Sequence, residues 1–290
     1  MTKTDYSRGS STIDDFFATA AERHDIYLRR RDNLPPPWTE DPIFATWKFT
    51  NVFRELDRGT LALRRMTADR DPLDPLFFWN VFWYRVFNRE EHSYEFGWNF
   101  DLEALLSHMR VKKQTGAPIF TGAHMTYSGV GDKLEWFASE CLYPTWEKRA
   151  TIAGTLRKRG TIEGAFERLK KIPGVGPFVA YEIACDLRFS LLREAPDVLT
   201  WANVGPGSKR GLERLGLAPK VWSMTQLLDL APRSAFARHL GGDNPLFELR
   251  EIEHWLCEFD KYERVRTGVG KPRARFHPRA EGLLDQAASA

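Results

Sequence analysis

The sequence predicts an all-α protein of two helical lobes, and three stretches carry that prediction. "STIDDFFATAAERHDIYLRRRDN" opens on a Ser/Thr cap followed by acids and closes on Arg29, Arg30 and Arg31, the charge order a helix dipole favours. "DPLFFWNVFWYRVFN" offers Asp74 as a cap and Pro75 in the first turn, where proline's missing N–H has no helical partner to lose. "NFDLEALLSHMRVKKQTG" runs from Asp101, a cap, to Gly116, a stop.

Taken in order, "NLPPPW" breaks the chain after the first helix, and a second helix is expected over residues 42–56. After the helix that ends before Gly116 comes a loop, "APIFTGAHMTYSGVG", with short strands as the alternative around residues 118–126. His124 in that loop is either a plain loop residue or one that faces a cleft. Shorter helices are expected near 133–141, 144–158 and 161–170. The expected organisation is an N-terminal helix and linker (1–38), a first helical lobe (39–115), a second lobe (116–262) and a basic tail (263–290).

The 290 residues suffice to bury a large core without staples. Cys141, Cys185 and Cys257 are far apart and show no C-x-x-C spacing, which argues against a disulfide framework, a zinc ribbon or an iron–sulfur cluster. No spacing singles out a metal site either. Apolar runs such as "PLFFW" fall far short of the roughly 20 residues that span a bilayer, and no membrane partner is expected. A soluble, cytoplasmic protein follows. The net charge of +3 says little about partners, but its distribution says more: residues 261–279 hold seven Lys or Arg against one Glu. Lys261, Arg273 and Arg275 in this stretch suit an arm that follows phosphates, or equally a solvated tail.

"FERLKKIPGVGPFVAYEIACDL" writes a helix, a tight turn and a second helix. Gly174 and Gly176 allow the turn and leave the amides open to a phosphate; Lys170 and Lys171 sit beside them. This is the pattern of a helix-hairpin-helix, which holds double-stranded DNA by its backbone without reading sequence. DNA glycosylases share the motif and place a catalytic Asp about twenty residues beyond it. Asp197 lies at that distance, but the residues after it are Leu-Thr-Trp-Ala-Asn, and no Lys stands at the hairpin's nucleophile position.

A second constellation joins "TWKFTNVFRELDRGT" to "FFWNVFWYRVFNREEH". Asn51, Arg54, Asp57 and Arg58 recur at three and four, as on one helical stripe. In the second stretch apolar residues wrap nearly the whole helix, so it is expected to be largely buried, with Arg85 either pointing into a cleft or held by a partner. An Arg85–Asp57 bridge is one reading; Arg54 and Arg85 gripping a phosphate or pyrophosphate is the other. Asn80, Tyr84 and Asn88 line the same side. On "ELREIEHWLCEFDKYER", Ile252, Trp255, Leu256 and Phe259 form a core face, with Glu253, Cys257 and Lys261 on another and His254 and Glu258 beside it. In "NVGPGSKRG", Gly205 and Gly207 free backbone amides while Lys209 and Arg210 add charge, either as a phosphate loop or as an ordinary turn.

The ordered series "FTNVFRELDRGT", "FWYRVFN", "IFTGAHM", the hairpin, "NVGPGSKRGL" and "IEHWLCEFDKY" resembles the alpha-glutamyl/putrescinyl thymine pyrophosphorylase family over roughly residues 40–275. Members of that family, also described as amino acid:DNA transferases, act in phage thymine hypermodification on a helix-hairpin-helix, DNA-glycosylase-like scaffold. A related helical module is attached to the 5-hydroxymethyluracil DNA kinases, but no G-x-x-x-x-G-K-[ST] phosphate loop occurs in this chain. The resemblance implies a substrate of double-stranded DNA carrying activated 5-hydroxymethyluracil, an amine or amino-acid co-substrate, functional coupling to the kinase, and action in a host cytoplasm. It implies that Arg54, Arg58 and Arg85 receive the leaving pyrophosphate and that Asn51 and Asn88 hydrogen-bond base or phosphate. Asp57 would orient an arginine or take the amine proton, and Glu253 or His254 would be the base. No cofactor is required by these residues, and metal dependence is left open.

Overall fold

The computed structural model describes residues 11–122, 131–272 and 274–277. Fourteen α-helices are found among them: α1 (Ile13–Arg31), α2 (Pro42–Thr46), α3 (Arg58–Thr67), α4 (Pro75–Phe87), α5 (Glu91–Glu95), α6 (Leu102–Gln114), α7 (Lys133–Phe137), α8 (Tyr143–Glu147), α9 (Arg149–Arg159), α10 (Ile162–Leu169), α11 (Pro177–Asp186), α12 (Pro206–Arg214), α13 (Val221–Leu230) and α14 (Leu249–Arg266). Short 3-10 turns and one π turn join them. Among the described residues no strand forms, and the one β feature is an isolated bridge between Trp47 and Arg275. No described helix is long and apolar enough to cross a membrane.

The caps read from the sequence form. Thr12 and Asp15 make a reciprocal capping box on α1, and Asp74 and Asp101 accept first-turn N–H groups of α4 and α6. Gly116 takes a φ of 76° just past the end of α6.

The two units, however, are not sequential. One consists of residues 1–57 with 204–290, the other of residues 58–203. The expected division at residue 115 is therefore replaced. The cause is long-range: the apolar face of α1 finds its partner on α14, where Trp255 Nε1 donates to the Phe16 carbonyl at 3.1 Å and the Phe16 and Phe259 rings meet edge to face at 5.4 Å.

The helix expected over 42–56 is also corrected. α2 stops at Thr46, because Lys48 N–H donates to the Ala274 carbonyl at 3.1 Å and Phe276 N–H to the Thr46 carbonyl at 2.9 Å, bonds an extended strand makes and a helix does not. Arg54–Leu56 is a single 3-10 turn held by side chains that compete with a helix: Asn51 Nδ2 donates to the Leu56 carbonyl at 2.6 Å, and Asp57 accepts the Asn51 N–H at 2.9 Å. Asn51, Arg54, Asp57 and Arg58 thus do not share a helical stripe.

In the 58–203 unit, α4 is buried all round from Phe77 to Phe87 and packs on α9 and α11. Its polar Asn80 is fully satisfied, donating to the Leu76 and Asn99 carbonyls and accepting from Trp83 Nε1 and Asn99 N–H. α10 and α11 pack on each other across the turn at residues 170–176.

Candidate functional site

The turn between α10 and α11 has its geometry forced by glycine. Gly174 has a φ of 78°, and a Cβ there would lie 2.8 Å from Phe137 Cε1. Gly176 caps α11 and has open space where a side chain would project, and Pro177 opens the helix without an N–H. Ile172 and Val175 anchor the turn in the core. Lys171 is exposed; Lys170 pairs with Glu167 at 2.6 Å and lies 4.9 Å over the Phe166 ring.

Asp197 is already engaged. Its two carboxylate oxygens accept the Ile162 N–H at 2.8 Å and the Glu163 N–H at 3.0 Å, while Thr161 Oγ1 accepts from Gly164, so Asp197 completes the N-terminal cap of α10.

Arg85 is held by Asp186, not by Asp57 as the sequence suggested. Its Nε donates to Asp186 Oδ2 and its Nη2 to Asp186 Oδ1 at 3.1 Å; Nη2 also donates to Thr60 Oγ1 at 3.2 Å, and Nη1 to Asn88 Oδ1 at 3.0 Å. Glu182 lies 3.8 Å from Nη1. Arg85 thus binds α4 to α11, the helix that follows the Pro-Gly-Val-Gly turn. Asn88, at a φ of 49°, is the C-cap of α4, and Arg58 ion-pairs with Glu90.

The other predicted residues belong to the 1–57/204–290 unit. His254 Nε2 lies 3.4 Å from Asp57 Oδ2. Burial pushes the His254 imidazole down, but the Asp57 carboxylate outweighs it and raises its pKa above the ordinary value. Burial pushes Asp57 up, but His254, the Asn51 N–H and the Arg54 charge hold it below the ordinary carboxylate value. Arg54 is buried beside this pair. The Asn51 amide is used at both ends, since its Oδ1 accepts from the buried Arg23 at 2.6 Å. Glu253 accepts from Cys257 Sγ at 3.6 Å; burial and Glu253 drive the Cys257 thiol well above its ordinary pKa, which disfavours the thiolate. Glu258 accepts the Thr50 N–H at 2.9 Å and pairs with Lys261 at 2.6 Å.

The "NVGPGSKRG" segment forms the start of α12, with Gly205 as its N-cap. Gly207 has a packing reason: a Cβ there would meet Cys257 Sγ at 2.6 Å, and one at Gly211 would meet the Leu256 carbonyl oxygen at 2.4 Å. Lys209 is exposed near Glu213, whereas Arg210 donates to the fully buried Asp260 at 2.8 Å. The described part of the tail is docked rather than loose. Arg275 bridges Trp47 and lies 5.6 Å over its ring, and Lys261 sits 4.6 Å over Phe49. Arg273 and His124 lie outside the described residues.

One cluster escaped sequence reasoning. His92, Glu95 and His108 present ligand atoms within 4.8 Å of one another. The only local signal was H-x-x-E on α5, which is too short to reveal the contribution of α6.

The model of the "5-hmdU DNA kinase, helical domain" family matches residues 10–271, nearly the whole described chain. The chain belongs to this helical-domain family. A 5-hmdU DNA kinase of Bacillus phage SP10 is 28% identical over 292 residues, covering 89% of this chain and 46% of the kinase. The chain thus spans about half the length of the curated relative it matches. No solved structure matches it.

Proposed function

We propose that this protein acts in 5-hydroxymethyluracil DNA hypermodification, displacing pyrophosphate from the activated base with an amine. The observation that carries the chemistry is the Asp57–His254 pair: an imidazole whose Nε2 lies 3.4 Å from a carboxylate oxygen, 15% exposed at its side chain, with Arg54 buried alongside. In the proposed step the amine nitrogen forms a bond to the exocyclic methylene as the methylene–oxygen bond to pyrophosphate breaks. His254 takes the amine proton, Asp57 stabilises the imidazolium, and Arg54 meets the charge that develops on the leaving group. The base leaves the stack to react, at a few kcal/mol. The α10–α11 turn, with Gly174, Gly176 and Lys171, would hold the DNA backbone, with Lys209 as a further phosphate contact. A kinase acting on 5-hydroxymethyluracil would supply the activated base.

This family relationship supports the DNA substrate class. It equally favours a second reading, a non-catalytic DNA-binding module that works beside a kinase, because the matching model is that of a helical domain and this chain has no phosphate-loop motif. A glycosylase is disfavoured by the capping role of Asp197.

The test is mass spectrometry of nucleosides from 5-hydroxymethyluracil DNA that was treated with a matching kinase, then incubated with this protein and mixed amines. A thymidine bearing the amine on its methylene, lost in His254→Gln, supports the transferase. DNA binding with unchanged bases supports the module. Free base with abasic DNA would refute both.

A further inference from the structure

We propose that His92, Glu95 and His108 form a Zn2+ site. The 58–203 unit builds it from α5 and α6, and it does not depend on the reaction proposed above.

His92 is fully buried, and its Nε2 lies 2.9 Å from the Ile119 carbonyl, an acceptor that fixes the proton on Nε2. Nδ1 therefore carries a lone pair. That nitrogen has no hydrogen-bond partner and lies 3.7 Å from Glu95 Oε2. His108 Nε2 is likewise buried without a hydrogen-bond partner, 3.5 Å from the same oxygen. Two nitrogens thus converge on the carboxylate oxygen that also pairs with Lys112, and a metal ion taking the place of that ammonium would give both nitrogens the partner they lack.

The dimensions suit zinc. Bonds of about 2.0–2.1 Å in a tetrahedron separate ligand atoms by roughly 3.3 Å, close to the two His–Glu95 distances of 3.7 and 3.5 Å, while all three ligand atoms lie within 4.8 Å of one another. Two imidazoles and a carboxylate are a donor set that Zn2+ accepts and Mg2+ or Ca2+ do not favour. The Ile119 carbonyl is the outer partner that metal-bound histidines generally have. Glu95 and His108 are partly exposed, at 41% and 28% of their side chains, which leaves an entry path and a fourth position for water or ligand. Lys112 ion-pairs with Glu95 and so competes with the metal for this carboxylate.

The experiment uses the full chain after treatment with a chelator, titrated with Zn2+ against a chromophoric competitor, and with Co2+ for its tetrahedral d–d absorption. We expect one ion per chain, a Kd raised at least about tenfold in both Glu95→Gln and His108→Ala, and a Kd lowered in Lys112→Met. Glu95 and His108 are exposed enough for these variants to fold, which far-UV circular dichroism verifies. Wild-type binding no tighter than that of His108→Ala, or a Co2+ spectrum unchanged by Glu95→Gln, overturns the proposal.

Discussion

Arg85→Met tests whether the guanidinium is a structural tie between α4 and α11. The substitution keeps an unbranched chain of similar length in the apolar surroundings, so the loss comes mainly from the polar head. The hydrogen bonds to Asp186, Thr60 and Asn88 disappear, together with the ion pair to Glu182. The Asp186 side chain is only 2% exposed, so its carboxylate remains buried without its main partner. Breaking such a pair from one side costs about 3–5 kcal/mol, against about 0–1 kcal/mol for a surface pair. Urea unfolding of the full chain gives the magnitude, and hydrogen exchange resolved by segment assigns it to α4 and α11 rather than to the other unit. Arg85→Met combined with Asp186→Leu should recover at least half the loss, because the most deeply stranded charge is gone and only the more distant Glu182 is left beside the site. A loss below about 1 kcal/mol in the single variant, or a double variant equal to the sum of the singles, would refute the reasoning.

Three further outcomes are expected. Asp197→Ala should lower stability by about 1–2 kcal/mol and accelerate exchange of the Ile162 and Glu163 amides, as for a lost cap; an unchanged exchange pattern contradicts the capping role. Gly211→Ala should cost about 1–3 kcal/mol, since its methyl meets a backbone oxygen, whereas Gly154→Ala in α9, with no atom within 4 Å, should be neutral or stabilising; equal thermal midpoints would count against the close α12–α14 contact. The Asp57–His254 pair should add stability between two limits: the Asp57 part is present above its ordinary value of 3.8 and lost as pH falls through its lowered folded value, and the His254 part is present below 6.5 and lost as pH rises through its raised one. The wild type minus His254→Gln difference in urea midpoint should therefore form a plateau with falls on both sides, and a flat difference would contradict the pair.

Within the sequence, local chemistry determined the helices. The caps at Thr12, Asp74 and Asp101, the all-round apolar pattern of α4 and the Pro-Gly-Val-Gly turn are each written within one or two turns of chain, where side chain and backbone meet directly. The burial of Arg85 was likewise legible, because a residue inside an apolar helix has nowhere else to go. Its partner was not. Asp186 lies 101 positions away, and nothing local distinguishes it from Asp57.

The same limit applies wherever distant segments meet. Only the tertiary structure decided that α1 packs on α14, that tail residues 274–276 interrupt the helix expected over 42–56, that Gly207 and Gly211 serve packing, and that His108 joins His92 and Glu95. Periodicity says that a face is apolar, or a charge buried, without saying what it meets. The choice among chemically equivalent partners is made by packing the whole chain at once.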